Sequence, residues 1–165
     1  MVSNDLWFVE KREDLLQGIG KVTVRWAAMD LALANIATII LKNRQAALAL
    51  IFRSQNAGAQ RLECFKDVVG AARELDATER ESLISLANEF KKLLPDRNEI
   101  VHSPRIVWFS TRDEGVALQI KGLSKSGILK DLADVEQHAD DVGRLLGELD
   151  AIFDELHEKY DGDEG

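Results

Sequence analysis

Leu15, Ile19, Val22, Trp26, Met29, Leu33, Ile36 and Ile40 recur at alternating steps of four and three. Only a helix puts such positions in one line, because 3.6 residues complete a turn, whereas a strand alternates at two. The spacing predicts one long amphipathic helix from roughly Val9 to Lys42, loosened early by Gly18 and Gly20. The chain has only two prolines in 165 residues, so further long helices are permitted. A second helical stretch is expected from about Arg44 to Leu75, broken near Arg53 to Gly58, with Leu62, Phe65, Val69 and Ala72 on its later apolar face.

Thr78-Glu79-Arg80-Glu81 has the form of a capping box, with Thr78 and Glu81 as the reciprocal pair. It should open a third helix with Leu83, Ala87, Phe90 and Leu94 inward. Pro95 is expected to stop that helix, and Asp96 to cap a new helical turn carrying Arg97 to His102. After Pro104 the period changes. Arg105 to Thr111 and Val116 to Lys121 are β-branched and aromatic runs around a loop ending in Gly115, a pattern that suits a β-hairpin. Gly122 to Gly127 reads as a linker. The last helix, about Ile128 to Tyr160, carries Leu132, Val135, Ala139, Val142, Leu146, Leu149, Phe153, Leu156 and Tyr160 at near-heptad spacing. The expected fold is all-α: a four- to five-helix bundle in one domain over residues 1–160, with a small β-hairpin inserted before the last long helix. Residues 161–165 read as a disordered acidic tail.

A chain of this length fits one domain and buries roughly 70% of the surface its unfolded form exposes. Cys64 is the sole cysteine, which excludes an intramolecular disulfide and suits a reducing compartment. The first residues carry neither a basic region nor an apolar run of signal-peptide form. The most apolar stretch, Trp26 to Leu41, contains Asp30 and Asn35 and is shorter than the ~20 residues of a membrane span. It reads as a core helix of a cytoplasmic protein with no membrane partner. The net charge of −8 is unevenly spread: residues 1–96 sum to zero, 97–130 to +3 and 131–165 to −11. The acidity therefore belongs to the last helix and tail, which weakens a nucleic-acid partner without removing it.

The chemistry-bearing segment is Pro95-Asp96-Arg97-Asn98-Glu99-Ile100-Val101-His102. An imidazole moves protons near neutral pH, and a guanidinium fork stabilises charge building on phosphate oxygens. Together they can cleave a phosphodiester without metal. Asn98 and His102 are four apart and share a helical face, so Asn98 is placed to fix the imidazole tautomer. Arg97 and His102 are five apart, and on one helix they diverge by about 140°. A structural reading covers the same residues: Arg97 pairing with Glu99 or Asp96, and His102 closing the helix end, where the dipole favours it.

The Arg-His spacing alone is not specific. With Asn98 after the arginine, Ile100-Val101 before the histidine and helices on all sides, the arrangement resembles the HEPN domain family. Its mark is an Arg, usually followed by a polar residue, then four to six positions to a His; Arg97, Asn98 and His102 match it. The resemblance implies a helical bundle that dimerises so that both copies of the motif face one cleft. It also implies RNA cleavage without a metal or other cofactor, the 2′-hydroxyl attacking the adjacent phosphate to leave a 2′,3′-cyclic phosphate. Some family toxins carry a Tyr two positions after the His, modified by a partner nucleotidyltransferase. Here that position is Pro104, which has no hydroxyl to be modified.

The function expected is a homodimeric, metal-independent endoribonuclease, a toxin or defence component with an antitoxin or nucleotidyltransferase as candidate partner. His102 is its acid/base, Arg97 its transition-state cation and Asn98 its orienting group. Arg105, Arg112 and Lys121 are candidate RNA-backbone contacts. The rival is a non-catalytic dimeric module of the same fold that binds a protein, nucleotide or RNA; the −11 final segment favours it. Elsewhere, Asp134, His138 and Asp141, and likewise Asp150, Asp154 and His157, are drawn together by helical spacing but read as solvated carboxylate faces. Cys64 reads as a small buried hydrophobe, and Trp26 and Trp108 as core.

Overall fold

The computed structural model describes residues 13–53, 58–102, 105–112, 115–122 and 132–161, the two strands by their backbone alone. Among these residues the chain is mostly helical, with five helices: α1 Glu13–Leu41, α2 Arg44–Ile51, α3 Gly58–Ala71, α4 Ala77–His102 and α5 Leu132–Asp161. Strands β1 Arg105–Arg112 and β2 Gly115–Gly122 lie between α4 and α5 and pair antiparallel, Arg105 opposite Gly122 and Arg112 opposite Gly115. The expected starts at Val9 and Ile128, and the tail from residue 162, lie outside the described residues. Asp161, assigned to that tail, continues α5.

The four-and-three stripe is the reason α1 sits at the centre. Val22, Trp26, Met29, Leu33 and Ile36 are buried, and Ile19 and Ile40 pack half-buried at its ends. From Ala32 onward the burial widens to Ala34, Ala37 and Ile39, so this half of α1 is enclosed on most sides by its neighbours. Each fully buried apolar side chain contributes about 1.5–3 kcal/mol. The helix packs against α2, α3, α4 and α5 in turn. Extended back to Leu16, it becomes long and apolar enough to cross a membrane by length and composition, with a mean hydropathy of 1.5. The apolar stretch thus begins well before Trp26.

The second stretch divides as its pattern suggests, α2 closing at Ile51 and α3 opening at Gly58. Asn43 caps α2 through its side-chain oxygen, which accepts from Ala46 N at 3.0 Å. Two expectations for α4 fail. The cap is Asp76, not Thr78: its Oδ1 accepts from Thr78 N and Glu79 N, both at 2.9 Å, and Glu79 Oε2 accepts from Asp76 N at 2.8 Å. A carboxylate beside a helix N-terminus is a stronger acceptor than a hydroxyl, so the box forms two residues earlier, from Asp76 to Glu79.

Pro95 does not stop α4, which runs through it to His102, so Asp96 lies inside the helix and not at its start. The proline removes one helical hydrogen bond and crowds the carbonyl of Lys91, a penalty of ~3 kcal/mol. Burial of Leu94 and Ile100 on either side outweighs it. Pro95 itself is exposed, so the carbonyl deprived of its donor lies toward water.

The Asp76 cap carries a pH signature. The N–H of Glu79 above all, then that of Thr78 and the charge of Lys159, hold the Asp76 carboxyl below its ordinary 3.8. A folded value below the unfolded one means its stabilisation is full above 3.8 and is lost as the pH falls through the lower folded value. Asp76→Ala should therefore lower the thermal midpoint at pH 7, and the gap to the native chain should close as the pH drops below 3.8. Melting curves of both chains across that range test this; a gap that persists unchanged in acid would deny the cap its charge.

Candidate active site

The unbroken α4 sets the site. Leu94 and Ile100 are anchored in the core, so Arg97, Asn98 and His102, in the last two turns of the same helix, are carried on a fixed rod. Arg97 Nη1 donates to Asn98 Oδ1 at 3.0 Å and stands 2.9 Å from His102 Nε2. A guanidinium only donates, so a hydrogen bond at this contact uses the lone pair of Nε2 as acceptor. The expected divergence of Arg97 and His102 is thus overturned. Helical side chains lean toward the N-terminus, so the His102 ring lies back over the preceding turn, within reach of a long arginine. Asn98 shares the helical face of His102 as expected, but its oxygen is taken by Arg97, so it holds the guanidinium and not the imidazole.

These three residues border a cleft of about 390 Å³, lined also by Thr23, Trp26, Ala27 and Asp30 of α1, by Gly58 and Arg61 of α3, and by Leu94. Gly58 makes close packing possible at its back: a Cβ there would stand 2.9 Å from Leu94 Cδ2. Trp26 forms a wall, held by an edge-on contact with Phe90 and by Nε1 donating to His138 Nε2 at 3.3 Å. His138, expected on a solvated face, is instead 5% exposed inside the bundle, because the apolar seam of α5 carries it against Trp26. Among the described residues no group of three or more His, Cys, Asp or Glu side chains is gathered for a metal.

Sequence reasoning missed two members of the site. Asp30 pairs with Arg61 across the cleft, both half-buried, with 15% and 29% of their side chains exposed. Burial pushes the Asp30 carboxyl above its ordinary 3.8, while the charge and hydrogen bond of Arg61, and then the charge of Arg97, pull it back. Two arginines thus surround one carboxylate beside a histidine. The only signal in the sequence was Asp30 interrupting the most apolar stretch of the chain; Arg61 carries none. Of the candidate RNA contacts, Arg105, Arg112 and Lys121 lie on the paired strands that follow His102, and their side chains are outside the described residues. Cys64 is half-buried and lines a separate groove with Ile40, Leu50 and Val68, so it is less enclosed than expected.

No protein-family model, curated protein or solved structure matches the chain. The functional reading therefore stands on the site itself. Its described charges are Asp30 against Arg61 and Arg97, a surplus of positive charge before His102 is counted. None of the described lining residues comes from α5, the element that carries most of the −11 segment.

Proposed function

We propose that this chain is a metal-independent endoribonuclease of the HEPN kind that works as a homodimer. The observation that carries the reading is the contact of Arg97 with His102, at 2.9 Å, on the border of a cleft with surplus positive charge. In the proposed reaction RNA draws Arg97 from His102 to the phosphate, and the freed Nε2 takes the proton from an RNA 2′-hydroxyl, whose oxygen attacks the adjacent phosphorus. The bond to the 5′-oxygen breaks, and the partner's His102 gives that oxygen a proton. The products are a 2′,3′-cyclic phosphate and a 5′-hydroxyl. Arg97 neutralises charge on the non-bridging oxygens, and Asn98 keeps its fork in place.

The surface of α1 supports a dimer. Leu16, Val24 and Leu31 are 59%, 69% and 49% exposed. At 100° per residue they fall with Thr23 and Ala27 within about 100° of arc, so the apolar strip adjoins two residues that line the cleft. A second copy covering this strip would bring two motifs toward one another.

The test is incubation of purified protein with mixed RNA in EDTA, beside His102→Ala. Cleavage by the native chain that ends in cyclic phosphate and falls by about 10²–10⁴ in the variant is expected. His102 is exposed at a helix end, so the variant should keep its fold, checked by circular dichroism. Intact RNA with both proteins folded and dimeric would reject the enzyme and leave the interaction module.

A further inference from the structure

Arg61 lines the same cleft as Arg97 and His102. Its Nη1 is engaged by Asp30, and its guanidinium lies over the Phe52 ring, 5.9 Å from the centroid. It is therefore held from two sides, by a carboxylate and by the negative face of an aromatic ring. Its Nε is buried with no hydrogen bond among the described residues. A fork has five N–H donors; with Nη1 on Asp30 and Nε enclosed, the Nη2 pair, which makes no hydrogen bond among the described residues, is left for a further acceptor. A pair meant only to tie α1 to α3 would not need to border the same cavity as Arg97 and His102, where Arg61 keeps 29% of its side chain exposed.

We infer that Arg61 is a second phosphate-binding residue of the cleft, pre-set by Asp30 and Phe52 to grip the backbone of single-stranded RNA beside the phosphate held by Arg97. The inference rests on the ribonuclease reading and extends it to substrate class. Asp30 acts as a place-holder: it keeps the fork oriented and the cleft from binding stray anions too tightly, and the phosphate shares the fork with it. Arg61 is a substrate-binding residue, since the bond that breaks lies at Arg97 and His102. Its loss should be felt in substrate capture more than in the chemical step.

The experiment measures binding of a 2′-O-methyl RNA oligonucleotide, which lacks the attacking hydroxyl, over a range of salt concentrations. Each phosphate contact to a single strand adds about 0.7 to the slope of log affinity against log salt. Arg61→Gln, which keeps a polar group for Asp30 without the charge, should bind roughly tenfold more weakly. Its slope should be shallower by about 0.7. Arg61→Lys should restore the slope, and in cleavage assays Arg61→Gln should raise KM while leaving kcat within about twofold. Folding of both variants is verified by thermal melting. A folded Arg61→Gln with native affinity and slope overturns the inference and leaves the ribonuclease untouched. A native chain that shows no salt-dependent RNA binding at all overturns both.

Discussion

Arg97→Ala is expected to slow RNA cleavage by about 10³-fold, as much as His102→Ala, and the double variant should be little slower than either single one. The reason is the geometry of the pair. Arg97 Nη1 meets Asn98 Oδ1 and His102 Nε2 together, so one guanidinium both carries charge toward the cleft and presets the ring that moves protons in the proposed reaction. Removing it loses a transition-state donor, worth about 10²–10³ in rate, and frees the imidazole as well. Side chains that act as a unit give strongly non-additive losses, whereas independent contributions would multiply to about 10⁶. Arg97→Lys should recover little, because a lysine presents a point charge and cannot reproduce the planar fork. Single-turnover rates of the native chain, both single variants and the double variant decide the matter. A double variant near the product of the two single losses would mean that the Arg97–His102 contact is not part of the chemistry.

Most of the bundle is legible in the chain because its signal is redundant. Val22, Trp26, Met29, Leu33 and Ile36 repeat one instruction, as do Leu83, Ala87, Phe90 and Leu94, and all are buried. The errors fall where one residue decides alone. At Pro95 a local rule competes with the burial of Leu94 and Ile100 and loses to it. At the start of α4 two capping boxes overlap, and only the difference in acceptor strength between Asp76 and Thr78 selects one. Spacing alone groups His138 with Asp134 and Asp141 on a solvated face, yet it lies on the seam of α5 between Val135 and Val142, where the heptad puts the core.

The site divides in the same way. Arg97, Asn98 and His102 are local in sequence and could be read as a motif, although the reach of Arg97 to His102 depends on side-chain direction that spacing alone does not give. Asp30 and Arg61 are 31 positions apart, and only the packing of α3 on α1 makes them neighbours. A charged residue inside the apolar run of a core helix was the legible half of that pair. Its partner could not be named without the fold.

Trp26 joins the fold to the site, and its replacement should show both dependences. Trp26→Ala is expected to destabilise the chain by about 3–5 kcal/mol through lost burial and the cavity left behind. The ring is 5% exposed, packs edge-on against Phe90 at 6.0 Å between centroids, and supplies the N–H that buried His138 accepts. Losing that donor adds a share of about 1–3 kcal/mol. Against a typical total of roughly 5–15 kcal/mol this is a large fraction. In a domain of this size each kcal/mol moves the thermal midpoint by about 2–4 °C, so a fall of roughly 10 °C or more is expected. Trp26→Phe separates the contributions: it keeps an aromatic ring against Phe90 but gives His138 no N–H, and should lose only about 1–3 kcal/mol. Thermal and urea unfolding followed by circular dichroism measure all three chains. If Ala and Phe prove equally unstable, the hydrogen bond to His138 outweighs the packing; if neither differs from the native chain, Trp26 is not the keystone between α1, α4 and α5. Because Trp26 also walls the cleft, a Phe variant that stays folded yet cleaves poorly would tie the histidine behind the wall to the geometry of the site in front of it.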